Sequence, residues 1–417
     1  MKDHALDNAI ADPKTFATEN GYHEIFNRLR KEDPVHWTEP DGFRPFWTVT
    51  KHADIMEIEL QNDRFLNGPR TILQSEDVEQ RIREETGGEQ ALFRTLVQMD
   101  NPDHRAYRGM TQVWFMPPNL KKLESDIRAL AREYVDRLED MNGQCDFVSD
   151  LAVWYPLRVI MTILGVPPED EPLMLKLTQE IFGSTDPEMN ETQDAAQFET
   201  AAKLFEYFRQ VTEERRKNPR DDVATVIANA TIDGELIGEF EALSYYVIVA
   251  TAGHDTTSSS VGGGMLALLQ NPEQLTKLRA QPDLLPQAID EMIRWTTPVK
   301  HFFRTAAEDC EFRGKKISAG DNLLMCYWSA NRDEDVYEDP FSFRIDRSPN
   351  KHLAFGYGAH VCLGQHLAKM ELRALWEELL SRLDHIELAG SPSWVEATFV
   401  SGLKHLPIRY SMKKKAA

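Results

Sequence analysis

The chain has 417 residues, with 68 Asp and Glu against 47 Lys and Arg, for a formal net charge of −21. So acidic a chain repels phosphate backbones and anionic lipid headgroups, which excludes nucleic-acid binding and membrane-surface attachment as main roles. Four cysteines (Cys145, Cys310, Cys326, Cys362) at unrelated spacings form neither a disulfide framework nor a paired zinc motif.

No Gly-, Ser- or Pro-rich linker, internal repeat or low-complexity tract divides the sequence. One domain over 1–417 is therefore expected, with a strand-rich lobe (the N-terminal hairpin and 299–330) and a helical lobe. The polar start (Lys2, Asp3, His4, Asp7, Asp12) reads as neither a signal peptide nor an anchor, so a soluble cytoplasmic chain is expected. Lys413-Lys414-Lys415 reads as a solvated tail.

Residues 36–50 place Trp37 and Phe46-Trp47-Thr48-Val49 on either side of the turn Pro40-Asp41-Gly42, and predict a hairpin. The 65–99 segment is expected to cover a pocket and carries no recognisable pattern. After Pro117-Pro118, Leu120, Leu123, Ile127, Leu130, Tyr134 and Leu138 recur at helical spacing. Further helices are predicted near 151–165, 172–182 and 196–217. The longest runs from Ile237 to Gln270 and ends at Asn271-Pro272. Cys310 to Trp328 alternates around Gly314 and Gly320 as short strands, and Gln365 to Leu383 is again helical. The sum is a mainly α fold with small β-sheets.

Two stretches carry chemistry. Phe355-Gly356-Tyr357-Gly358-Ala359-His360-Val361-Cys362-Leu363-Gly364 presents one cysteine from a glycine-hinged loop at the mouth of a helix. Helix-end N–H groups and the positive dipole end favour thiolate there, a ligand for a soft or borderline metal. A lone cysteine before a helix is more often plain core, and only the surrounding pattern overrides that reading. Within the longest helix, Ala252-Gly253-His254-Asp255-Thr256-Thr257 places an acid, hydroxyls and a glycine between apolar runs. Because the apolar pattern resumes at Met265, the break is read as internal to the helix, a common functional device. Taken alone, it reads equally well as a helix end.

The Phe-Gly-Gly-His-Cys-Gly offsets resemble the haem-binding signature of the cytochrome P-450 superfamily, and the likeness extends over essentially the whole chain. The resemblance implies a triangular-prism fold holding haem b (iron protoporphyrin IX), with Cys362 as its axial thiolate, Phe355 and Gly356 beside the sulfur and His360 as a propionate partner. His104, Arg108 and Arg304 correspond to further propionate partners. Ala252 and Gly253 leave room for dioxygen, Thr256 hydrogen-bonds it, and Asp255 relays protons. Glu291 and Arg294, three apart on one helix, match the family's buried Glu-x-x-Arg, with Arg347 as third member. Within the superfamily, the strings Asp170 to Gln179, Ala250 to Ser260 and Gly364 to Glu371 are similar to the bacterial terpineol-hydroxylating members.

On this basis the expected activity is haem-thiolate monooxygenation. One atom of O2 enters a small hydrophobic substrate, a monoterpenoid or an alkyl-substituted aromatic, with a steroid or fatty acyl group as the alternative. Electrons are expected from a ferredoxin with its reductase and NAD(P)H, docking where Lys351, Lys369 and Arg373 gather, and the chain is expected to be a monomer. Candidate pocket residues are apolar: Val247, Val249, Ala252, Val299, Phe302, Phe303, Phe399 and Val400, for whose aromatics core packing weighs equally. Rival readings are a passive haem ligand-binding protein, which has no need of Asp255 and Thr256, and a zinc site of His360, Cys362 and His366, which lacks a fourth ligand.

Overall fold

The computed structural model of the chain describes residues 3–413 except 20, 183–185, 187 and 190–195; Lys2 and Lys414-Lys415 lie outside the described residues. The hairpin forms from Val35–Thr38 and Phe46–Val49, antiparallel with Trp37 opposite Trp47. Their rings meet at 4.9 Å, and the Thr38 and Thr48 hydroxyls share a hydrogen bond at 2.6 Å. Phe46–Val49 continues in parallel into Asn322–Cys326, which pairs antiparallel with His301–Ala306 and through it with Phe65–Leu66. These five strands form the largest sheet among the described residues. The rest of the 65–99 segment is a helix, Glu76–Thr86, capped by the Ser75 hydroxyl, followed by turns.

Elsewhere helices dominate. The periodic run after Pro117 is interrupted, as Pro117–Leu120 and Glu124–Asp140, because Lys122 and Leu123 donate three residues back instead of four. Leu120 and Ile127 reach the same core nonetheless. The 151–165 prediction divides into a π-helical turn, Val148–Ala152, and Trp154–Ile163. Glu171–Phe182 and Ala196–Lys217 follow.

The long apolar helix is two helices, Glu239–Ala252 and Asp255–Gln270, meeting at Gly253-His254. His254 N–H donates three residues back to Thr251 O, and the four-residue ladder resumes with Ser258 N–H to His254 O. The second helix lies hard against Leu285–Thr296. A Cβ at Gly263 would meet Thr296 Oγ1 at 2.5 Å, and one at Gly264 would meet Met292 Sδ at 2.9 Å, so the glycine run is what permits the approach. On the other side of the core, Gln365–Arg382 packs on Glu124–Asp140 and Leu285–Thr296.

Candidate active site

The cysteine loop is built by turns that glycine makes possible. Gly356 and Gly358 have φ of +69° and +68°. A Cβ at Gly358 would fall 2.4 Å from Glu59 O at the end of helix His52–Leu60, so the loop rests directly on that helix. Phe355 O accepts the Cys362 N–H at 2.8 Å, closing the loop under the sulfur. Burial pushes the Cys362 thiol up, while the N–H groups of Gly364 and Gln365 and the Arg108 charge pull it down. The helix end and Arg108 thus favour the thiolate, as expected, and work against the burial of the site. A bound cation is what ionises such a thiol.

Beside the loop, His104 and His360 stack with ring centroids 3.7 Å apart. Burial, reinforced by Arg108, lowers His104 to about 4; burial and then His104, Arg304 and Arg108 hold His360 far below the usual imidazole range. In the protein alone, both rings are thus pushed toward the neutral form. His104 Nε2 is buried without a hydrogen-bond partner, and Arg108 Nη2 holds Val361 O at 2.7 Å. Arg304 is buried and ion-paired to Glu59 at 2.6 Å, and Glu59 also takes the Tyr327 hydroxyl at 2.6 Å. Sequence reasoning missed Glu59, since nothing local marks a partner 245 residues away.

Below the loop, Arg294 grips Glu291 through two bonds of 2.7 and 2.8 Å, and Arg347 Nε reaches the same carboxylate at 3.1 Å. The three arginine and glutamate side chains are buried. Arg294 also donates to Asn331 O, and Asn331 Oδ1 accepts the Leu353 N–H at 2.7 Å. That chain of bonds ties the triad to the start of the cysteine loop. Glu291 stays below its usual range despite burial, because Arg294 and Arg347 bond its charged form.

On the helix junction, Ala252 is exposed although Thr251 before it is buried; Ile248, Gly253, Asp255 and Thr256 are half-buried. Ile248, Ala252 and Thr256 lie four apart on one face. Val247 points elsewhere and is fully buried in the main core, and Val249 is nearly so, which corrects their assignment as pocket residues. Ile248 is the residue that the period selects instead. Thr256 Oγ1 donates to Ala252 O at 2.8 Å.

The strand His301–Ala306 sorts its aromatics by alternation. Phe303 is fully buried on the sheet's other face, against Phe46 and the Arg70 guanidinium, so it is core and not pocket. Phe302 lies on the face of Arg304, half-buried, with Phe399 at 5.2 Å. An isolated antiparallel bridge joins Val299 to Val400, so Val299, Phe302, Phe399 and Val400 come together. Of the three cations expected to gather for docking, Lys369 is bound to Asp290 and Arg373, though exposed, to Glu377, both at 2.7 Å, whereas exposed Lys351 has no ion pair among the described residues.

This donor set fits a haem. A half-buried cysteine with the Gly364 and Gln365 N–H groups favouring its charged form suits a metal thiolate, and no group of three or more His, Cys, Asp or Glu among the described residues could hold a metal ion by itself. The orphaned His104 Nε2, beside Arg108 and His360, fits a carboxylate partner. No helix of the described residues is long and apolar enough to cross a membrane.

The cytochrome P-450 family profile matches residues 15–410. The chain is 46% identical to cytochrome P-450-terp of a Pseudomonas species over 409 residues, 96% of each chain. It is 33% identical to linalool 8-monooxygenase of Pseudomonas putida, covering 93% of this chain and 95% of that one. The crystal structure of CYP108D1 from Novosphingobium aromaticivorans superposes with a TM-score of 0.93 at 44% identity, over 99% and 100% of the two chains. The chain belongs to the cytochrome P-450 family of haem-thiolate monooxygenases.

Proposed function

We propose that this enzyme hydroxylates a small hydrophobic substrate of the monoterpenoid or alkyl-substituted aromatic class, with Cys362 as the axial ligand of its haem. The observation that carries the ligand assignment is the half-buried Cys362 sulfur, drawn toward thiolate by the Gly364 and Gln365 N–H groups in a loop fixed against Glu59 O. When bound, haem supplies the iron at which dioxygen is reduced and one oxygen atom is inserted into a C–H bond.

The chain's own residues do the rest. His104, Arg108 and His360 orient the propionates, while Arg304, already engaged by Glu59, contributes charge that is partly neutralised. Thr256 gives its own proton to Ala252 O, so its oxygen turns lone pairs to the pocket and accepts a hydrogen bond there. Asp255, half-buried at the junction, carries protons from the solvent side. Val299, Phe302, Phe399 and Val400 bind substrate by apolar burial, at about 25 cal/mol per Å² removed from water. Electrons come from a ferredoxin served by its reductase and NAD(P)H, and the protein works as a cytoplasmic, single-domain monomer.

The test is a ligand screen of the purified haem protein. Terpenes, alkylbenzenes, steroids and fatty acids are added while the visible spectrum reports displacement of the iron's water ligand. Spectral shifts with the first two classes are expected. Shifts confined to steroids or long acyl chains overturn the substrate assignment.

A further inference from the structure

His301 opens the strand His301–Ala306 and is buried, with 3% of its surface exposed. Its ring lies on the Phe303 side of the strand, 6.0 Å from that ring, and not on the Phe302 side. Both ring nitrogens are aligned with backbone groups from distant parts of the chain. Nε2 lies 3.0 Å from the Leu73 nitrogen, and Nδ1 lies 3.0 Å from Thr398 O. A backbone N–H only donates and a carbonyl only accepts, so Nδ1 carries the ring's single proton and Nε2 keeps its lone pair. Burial first, and Arg70 after it, outweigh the Thr398 bond and lower His301 to about 3, so this one-proton form persists at working pH.

The two backbone partners belong to the two segments that flank the proposed pocket. The 65–99 segment, which includes Leu73, is fastened to the strand by the Phe303 N–H to Thr71 O bond. It reaches the distal helix where the Arg94 N–H meets Ser244 Oγ at 3.2 Å. It therefore spans from the strand of Phe302 to the helix of Ile248. Thr398 immediately precedes Phe399, whose ring meets His301 at 5.6 Å and Phe302 at 5.2 Å, edge-on to both. We infer that His301 is a positioning residue for substrate, a brace that fixes the turn carrying Phe399 and Val400 against the 65–99 segment. The inference rests on the pocket proposed above. The Lys300 N–H to Phe399 O and Ser401 N–H to Pro298 O bonds hold the turn to its own strand, but neither reaches Leu73. The His301 ring joins both, and so sets the separation of two walls without touching substrate itself.

The experiment compares His301→Gln with His301→Leu in the haem-loaded enzyme. A glutamine amide offers a donor and an acceptor; leucine, of similar size, offers neither. Each variant is titrated with α-terpineol and n-butylbenzene by the visible spectrum, then turned over with ferredoxin and reductase to read which positions are hydroxylated. His301→Leu should weaken binding about 10-fold and spread the oxygen over more positions, whereas His301→Gln should stay within about threefold of wild type. A merely structural His301 would lower the urea midpoint and leave dissociation constants and product pattern unchanged, overturning the inference. So would a His301→Gln as impaired as His301→Leu. Phe399→Ala separates this inference from the reading beneath it. Unchanged binding in Phe399→Ala, or no spectral shift with either probe in wild type, overturns the pocket and this inference with it. Altered binding in Phe399→Ala beside a normal His301→Leu overturns this inference alone. Should His301→Leu not fold, ¹⁵N-histidine NMR of the reduced, carbon-monoxide-bound wild type decides. A neutral Nδ1–H ring at His301 supports the brace, and an Nε2–H or doubly protonated ring refutes it.

Discussion

The two faces of the active site are built on opposite principles. Under the cysteine loop, Glu291, Arg294, Arg347, Asn331 and Asn350 are joined by closely spaced bonds, and Glu291 alone accepts from four different residues. At the 253–256 junction the helix ladder is interrupted, and the acid beside it keeps an open edge. A ligand atom must not move between turnovers, so its support is redundant. The relay role proposed for Asp255 calls for exchange, and its open edge fits that role.

The comparison breaks most completely at the sulfur. Cys362→His is expected to abolish the strongly red-shifted Soret band of the reduced, carbon-monoxide-bound protein; persistence of that band rules out Cys362 as ligand. Next in size is the distal side. Thr256→Ala leaves haem binding intact and should divert NADH into free hydrogen peroxide, lowering coupled product by roughly 100-fold or more. Product per NADH equal to wild type would contradict the role given to that hydroxyl.

Redundant support has a stability signature. Removing the shared acid in Glu291→Ala leaves two buried guanidinium groups without it, at a cost of about 3–5 kcal/mol. Urea unfolding of the haem-loaded protein measures this, and a loss below about 1 kcal/mol would show that the triad is dispensable. Acid should loosen the same triad. Glu291 lies below its usual range, so its stabilisation is present above the ordinary Glu value near 4.3 and fades as pH falls through its lowered value.

Smaller effects lie at the rim. Lys351→Glu should slow reduction by ferredoxin by up to about tenfold at low salt, and added salt should shrink the difference. Arg373→Glu should do less, because Arg373 is already committed to Glu377. Smallest is a pH effect at His405, held by Glu188 and Asp146 at 2.9 and 2.5 Å, which raise it above the usual imidazole range. Its stabilisation is complete below about pH 6.5 and is lost as pH rises through the raised value. Hydrogen exchange at Glu188 and Met189 should accelerate over that window, and exchange flat across it counts against the tether.

What the sequence discloses follows from how local each device is. The cysteine loop, the junction and the Glu291–Arg294 pair are written within ten residues each, in residue types with few alternative uses. Face selection is not local. Phe302 and Phe303 are chemically identical neighbours, and only the sheet's other strands decide which one meets Phe46. Val247 and Ile248 differ likewise by the rotation of a helix whose surroundings are apolar on most sides. Glu59 is silent because its partners, Arg304 and Tyr327, arrive from a distant strand and the turn after another.

The Val299–Val400 bridge has a consequence for how such an enzyme changes its diet. Two of the proposed substrate-contacting residues sit before and within one strand and the other two on the 399–400 turn, joined by the Val299–Val400 bridge and by the Lys300 N–H to Phe399 O and Ser401 N–H to Pro298 O bonds. Neither Val299 and Phe302 nor Phe399 and Val400 belong to the cysteine loop or the 252–257 junction, although Gly402 beside them packs against Ser259 of the distal helix. Side-chain exchanges at Phe399 and Val400 can therefore reshape the proposed cavity wall with the backbone bonds of Lys300 and Ser401 left in place, whereas Gly402, against Ser259, is held to a small residue.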